Sequence, residues 1–183
     1  MRRTFALMTA ALVLKFVSCS AAAQSREVNE CEHQMNERGA AMAARDWVSM
    51  EKFANVFIKK CQRAATSIDI WKAYWESSVA AEQLGRPAAA LKYIDGCISV
   101  AYSNGTCHVQ KVLVLKGMKR TEEARRLIAP TSKLLASQLE DAKKALEHST
   151  IGGETERLKM DLESLEVATE HVKLLATQLG VEI

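Results

Sequence analysis

The sequence contains little proline and few aromatic side chains. Of 183 residues only two are proline and eight are glycine, and phenylalanine, tryptophan and tyrosine together make up 5%. This composition excludes a collagen-like or proline-rich chain and argues against an all-β fold with many turns. Apolar residues make up 48% of the chain, which is too much for a disordered protein. The length predicts one domain.

The chain also has little net charge. Of the formal charge of +3, all is due to Arg2, Arg3 and Lys15, because the first 23 residues contain no acid. The remaining 22 basic and 22 acidic side chains cancel. A neutral body lacks the electrostatic footprint of a nucleic-acid-binding protein, so we predict no nucleic-acid partner.

Familiar catalytic and metal-binding motifs are missing from the sequence. It has no C-x-x-C pair, no H-E-x-x-H helix and no glycine-rich phosphate loop. None of its four histidines lies beside a serine or cysteine nucleophile with an orienting acid at a familiar spacing. We therefore predict a protein that is not an enzyme and holds no cofactor or metal. A small hydrolase is a less favoured alternative.

The first 23 residues have the pattern of a secretory signal peptide. Arg2 and Arg3 form a positive start, an uncharged and mostly apolar run follows at residues 4–14, and residues 21–23 are alanines at the cleavage positions. The apolar run is shorter than the roughly 20 residues that span a bilayer. We expect export to the periplasm or cell envelope, with Gln24 as the first mature residue.

A second interpretation of this segment concerns Cys19. Residues 16–19, Phe-Val-Ser-Cys, resemble a bacterial lipobox, in which the cysteine is lipidated, although such boxes usually begin with leucine. Lipidated Cys19 would anchor the chain to a membrane while the domain itself stays outside the bilayer. No later stretch of the sequence is apolar enough to span a membrane.

Four cysteines follow the signal segment, and in an oxidising compartment they predict two disulfides. Cys31 and Cys61 each lie fifteen residues from Asp46, where an antiparallel pair of helices would turn. Cys97 and Cys107 flank an Asn-Gly turn. We therefore predict the pairs Cys31–Cys61 and Cys97–Cys107, with a Cys61–Cys97 bridge as the main alternative.

The mature chain has the pattern of α-helices, because apolar residues recur every three or four positions and strict alternation is absent. Residues 85–93 and 119–127 each have the pattern of a turn followed by the start of a second helix. Their small residues Ala90 and Ala124 are 34 positions apart. Residues 45–50 have the pattern of a third such turn, 40 positions earlier in the chain.

This spacing resembles the tetratricopeptide repeat, a 34-residue helix–turn–helix unit with a small residue early in its second helix. The resemblance implies an all-α fold with about three antiparallel helix pairs over residues 24–130. Ser78 and Val112 stand where the repeat usually has glycine. Pro130 falls inside the third second helix, which we expect to be short or kinked. An unrelated helical bundle with a chance spacing is the alternative.

The resemblance also implies a concave groove, lined by the first helix of each pair, that binds a peptide or a protein segment. The side chains that would face this groove are Lys72, Trp75, Val79, Glu82 and Gln83 in one repeat and Val109, Leu113 and Lys116 in the next. Trp75 is the foremost candidate, because Trp71 and Tyr74 already serve the packed face of their helix. The alternative is that Trp75 packs under a neighbouring helix.

Residues 131–183 follow a different pattern. A stripe of leucine and alanine is followed by a turn and then by a longer stripe with coiled-coil-type spacing, formed by Leu158, Leu162, Leu165, Ala168, Val172, Leu175 and Leu179. We predict a C-terminal helical hairpin that packs on the repeats and caps the last one. Alternatively, the second helix of this hairpin, residues 154–180, binds a partner helix or forms a homodimer.

Together these features predict an exported, non-catalytic interaction module whose partner is another protein or a peptide segment. A scaffold or adaptor in the periplasm or cell envelope, for example a helper in the assembly of a secretion system or pilus, is the favoured function. An immunity protein that binds and neutralises a toxic enzyme is the alternative.

Overall fold

The computed structural model describes residues 28–62, 65–149 and 152–183, and these residues form α-helices and no strand. The predicted signal peptide, residues 1–23, and the candidate lipidation site Cys19 lie outside the described residues. The helices are α1 (28–43), α2 (Trp47–Lys60), α3 (Ser67–Gln83), α4 (Pro87–Val100), α5 (Gly105–Gly117), α6 (Thr121–His148) and α7 (Gly152–Leu179). The predicted all-α fold class is confirmed.

One type of tight turn joins the two helices of each pair. Arg45, Gly85 and Lys119 have φ values of 55°, 70° and 60°. In each turn the next residue donates its backbone N–H to a carbonyl five residues earlier, at 2.8–2.9 Å. This left-handed closure is a common way to end a helix. The three segments that the sequence analysis matched therefore adopt one geometry, although the first is 40 residues from the second.

Local capping explains where several of the helices begin. The side chain of Asp46 accepts a hydrogen bond from the backbone N–H of Ser49, at 3.1 Å, at the start of α2. Thr66 and Asp69 form a reciprocal capping box at the start of α3. Pro87 opens α4, where its missing N–H costs nothing.

Consecutive helices pack against each other throughout, and first helices also meet their neighbours, α3 with α5 and α5 with α7. The largest core cluster lies between α5, α6 and the second half of α7, and includes Val112, Ile128, Leu135 and Val172. The apolar stripe of α7 is thus buried on the last repeat from Ala168 to Leu179.

Small residues allow the close approach of paired helices. Ala90 and Ala124 are fully buried. Ser78, which stands where the repeat usually has glycine, is also fully buried and donates a hydrogen bond to the carbonyl of Ala90 at 3.0 Å. A Cβ atom on Gly96 would lie 2.5 Å from the Tyr74 ring, so only glycine fits at this crossing of α4 over α3.

The long helix α6 departs from the sequence expectation. It runs from Thr121 to His148 with Pro130 inside it, so the third second helix is not short. The predicted boundary between residues 24–130 and 131–183 therefore falls within one helix. Pro130 is exposed, and the missing hydrogen bond lies on the solvent side, where water can replace it.

None of the helices in the described ranges is both long and apolar enough to cross a membrane.

Candidate functional site

Two disulfides join neighbouring helices. Cys31 in α1 pairs with Cys61 at the end of α2, and Cys97 in α4 pairs with Cys107 in α5. These are the pairs that the sequence analysis favoured over a Cys61–Cys97 bridge. The second bridge closes a short loop around the α4–α5 turn, so this turn is held covalently against the repeats.

The predicted groove is partly filled by neighbouring helices. Trp75 is half-buried against the cluster of Ile94, Cys97 and Cys107. Val79 is half-buried against Met50 and its neighbours in the first pair. Of the predicted positions, Lys72 and Gln83 are exposed, Glu82, Leu113 and Lys116 are half-buried, and Val109 is buried.

Polar pairs link each first helix to the next. Glu82 of α3 accepts a hydrogen bond from the side-chain amide of Gln110 in α5, at 2.8 Å. Lys116 of α5 donates to the side-chain oxygen of Gln178 in α7. Glu82 and Lys116, which were predicted to face a partner, therefore connect neighbouring helices of the protein itself.

A buried ion pair links α1 to α3. Nε of Arg38 lies 2.5 Å from a carboxylate oxygen of Glu76, and the guanidinium carbon lies 4.7 Å from the centre of the Phe57 ring. Burial raises the pKa of the Glu76 carboxyl above its ordinary value, while the Arg38 charge opposes the shift. The pair has the burial and partners of a structural contact between helices.

An open cleft with a volume of about 660 Å³ lies between the start of α3, the α4–α5 turn, α6 and α7. It forms because α6 and α7 have 28 residues each, whereas α5 has 13. At about 1.5 Å per residue, the two long helices extend well past the α4–α5 turn. We call their projecting part, residues 136–149 and 152–167, the arm, and the rest of the described chain, residues 28–62, 65–135 and 168–183, the stack.

The cleft has walls from four elements. The start of α3, the α4–α5 turn, α6 and α7 contribute Ile68, Trp71, Lys72, Ser103, Asn104, Thr106, Gln138, Asp141, Ala142, Leu158, Met160, Asp161, Ser164 and Leu165. At its base, Gln138 accepts a hydrogen bond of 2.8 Å from the backbone N–H of Gly105, which ties the arm to the turn.

The lining combines apolar side chains with a few charges. Ile68 and Met160 are exposed large apolar residues, 53% and 65% accessible. Asp141 and Asp161 are acidic, and Lys72 extends over the Trp71 ring at 5.9 Å from its centre. The cleft therefore offers apolar contact area together with several polar and charged groups.

Lys72 is the one predicted groove residue that lines the cleft. The contributions of the α4–α5 turn and of the arm were not predicted. Helical periodicity predicted a C-terminal hairpin, but it indicated neither the full length of α6 across Pro130 nor the direction of the hairpin relative to α3. The described ranges hold no group of three or more His, Cys, Asp or Glu side chains placed to bind a metal ion.

Comparisons with known proteins address the fold. No family model matches the sequence, and no curated protein matches it either. Among solved structures, the chain is similar to the TPR2B domain of yeast Sti1 in its complex with pHsp70, with a TM-score of 0.54 and 12% sequence identity. The match covers 79% of this chain and 97% of that one. The fold is therefore a tetratricopeptide-like stack of helical repeats, as the 34-residue spacing indicated.

Proposed function

We propose that the protein is a non-catalytic interaction module whose cleft receives a segment of another protein. The observation that carries this proposal is the cleft between the arm, the α4–α5 turn and the start of α3. Its volume lies within the range of about 300–1,000 Å³ that is common for ligand pockets, and three of its four walls belong to helices. A site built in advance reduces the ordering cost of binding.

The fold supports the same proposal. The TPR2B domain of Sti1 was solved with pHsp70, and that partner belongs to Sti1. A helical stack of this kind offers a long surface with side chains at fixed positions. The disulfide Cys97–Cys107 holds one wall of the cleft, and Gln138 holds the arm to the same turn.

We also propose that the module works outside the cytoplasm, in the periplasm or at the cell envelope. The signal-like residues 1–23 and the pairing of all four later cysteines support this location. Within the envelope, the favoured role is that of a scaffold or adaptor in the assembly of a secretion system or pilus. Cell fractionation of the full chain tests the location, and Cys19→Ser tests lipidation, because loss of the anchor would release the protein from the membrane fraction.

Site-specific photo-cross-linking tests the cleft. Photoreactive benzoylphenylalanine replaces Ile68 in the cleft or, as a matched control, the exposed Val48 near the α1–α2 turn at the other end of the stack. We expect a partner adduct from position 68 and none from position 48. The identity of the adduct separates an envelope assembly component from a toxic enzyme. Equal labelling from both positions, or none from position 68, would contradict the proposed site.

A further inference from the structure

Helix α7 carries a second apolar row that the leucine stripe does not explain. The stripe faces inward, and Val172, Leu175 and Leu179 are buried on the repeats. Met160, Val167 and Leu174 lie on another side of the helix and are 65%, 58% and 55% accessible. They are seven residues apart, so they line up along the helix over about 21 Å. We call these three residues the outer row.

The outer row begins in the cleft and continues along the stack. Met160 and Ser164 line the cleft. Four residues beyond Leu174, Gln178 contacts Lys116 of α5. The row therefore runs beside the surface that α5 and α7 share, and a segment bound in the cleft could continue along it as a helix.

Acidic side chains lie along one side of the outer row. Glu156, Glu163 and Glu170 each precede a row residue by four positions, and the first and last form exposed ion pairs with lysines of the same helix. Over its whole length α7 has six acidic side chains against three of Lys or Arg, a net charge of −3. Exposed pairs of this type are weak, so a partner's cations can compete for the glutamates.

The charge on this side of the row distinguishes between two occupants. An antiparallel pairing of α7 with α7 of a second copy would place glutamate rows against each other, and like charges across such a seam are unfavourable. A helix with basic flanks would match them instead. Because the apolar residues of the row are seven positions apart, a helix that packs on them needs apolar residues at the same spacing.

We propose that the outer row of α7 binds an amphipathic helix of a partner protein that carries lysine or arginine beside its apolar face. This inference rests on the proposed function, since it names the kind of segment that leaves the cleft. It makes Val167 and Glu163 determinants of specificity rather than of stability, because both side chains are exposed.

Synthetic helices test the chemistry of the partner. The first probe is a three-heptad peptide with leucine at every seventh position and lysine at the flanking positions, and the second has glutamate in place of lysine. Fluorescence anisotropy measures the binding of each to the full-length processed protein. We expect the lysine probe to bind at least tenfold more tightly, with an affinity that falls as salt rises. Equal binding of the two probes would overturn the proposal.

Variants locate the binding surface. Val167→Lys and Glu163→Lys are each expected to weaken the lysine probe about tenfold without changing the melting temperature. The matched control is Glu32→Lys, which changes an exposed glutamate of α1 at the other end of the stack and should leave binding unchanged. Sedimentation of the unliganded protein is a further check. A dimer that Val167→Lys dissociates would favour a second copy and overturn the proposal.

Photo-cross-linking separates this inference from the proposed function. With benzoylphenylalanine at position 167, we expect the same partner as from position 68, joined through a basic amphipathic segment. A partner found from position 68 but not from position 167 would end the inference and leave the cleft as the binding site. No partner from either position would end both.

Discussion

The stack and the arm are built from the same kind of helix but are held together differently. The stack contains both disulfides and every fully buried side chain of the described residues. In the arm, no described residue is fully buried, and its leucines are half-buried between two helices. Segments with few buried contacts open at lower free energy than a packed core. The arm is therefore expected to open at a lower free energy than the stack.

Removal of both disulfides together should have the largest effect on the stability of the stack. Replacing both Cys31 and Cys61 with serine is expected to cost about 3.6 kcal/mol, and replacing both Cys97 and Cys107 about 2.7 kcal/mol, because the closed loops span 30 and 10 residues. Chemical denaturation of each variant measures the two losses. Losses near zero for both pairs would show that the bridges do not stabilise the stack.

The buried ion pair is the next test. Arg38→Met leaves the Glu76 carboxylate buried without its cation and should cost about 3–5 kcal/mol at pH 7. Burial already raises the pKa of Glu76, so ionisation opposes folding above that pKa and the loss should shrink towards pH 4, where Glu76 takes up a proton.

The matched control for this pair is Lys60→Met, which removes an exposed bridge from α2 to Glu30 of α1, 3.7 Å long. It should cost less than about 1 kcal/mol. Urea unfolding at both pH values provides the comparison. A loss for Arg38→Met that does not change with pH would contradict the role assigned to Glu76.

Two leucine truncations compare the stack and the arm directly. Leu135→Ala, at a fully buried position of the stack, should cost about 2–5 kcal/mol because it leaves a cavity. Leu162→Ala, at a half-buried position of the arm, should cost roughly 1 kcal/mol, since less apolar surface is lost there. Equal losses in guanidinium unfolding would show that the arm is packed as firmly as the stack.

Glycine substitutions should have opposite signs in the two regions, with the smallest effect in the arm. A Cβ atom on Gly105 would lie 2.4 Å from Leu135, so Gly105→Ala should destabilise the protein by about 1–3 kcal/mol. Gly153 of α7 has nothing within 4 Å of an added Cβ, and Gly153→Ala should stabilise by about 0.5 kcal/mol through a higher helix propensity. Thermal unfolding measures the change in stability of both variants. Changes of the same sign would contradict the looser packing of the arm.

Much of the stack could be predicted from the sequence because its determinants are local. The helix starts follow from Asp46, Thr66 and Pro87, and the disulfides follow from the distance of each cysteine to a turn. The length of α6 was not predicted, because Pro130 indicated a short or kinked helix, whereas α6 continues to His148.

The candidate site was harder to predict. Trp75 was expected in an open groove, but α4 and α5 cover part of its ring, as the alternative interpretation allowed. The cleft depends on where the arm points, and no residue pattern within α6 or α7 encodes that direction. The hairpin itself was predicted, but its projection past the α4–α5 turn was not.

The sequence by itself determined the helices, their pairing and the sulfur bridges, because caps, turns and apolar spacing act over a few residues. The cleft and the exposure of the outer row were decided only by tertiary packing. The seven-residue stripe of α7 was predicted to pack on the repeats, but the sequence of α7 did not indicate whether another helix would cover its second apolar row. Burial of Ala168 to Leu179 against α5 and α6 chose one row and left Met160, Val167 and Leu174 accessible.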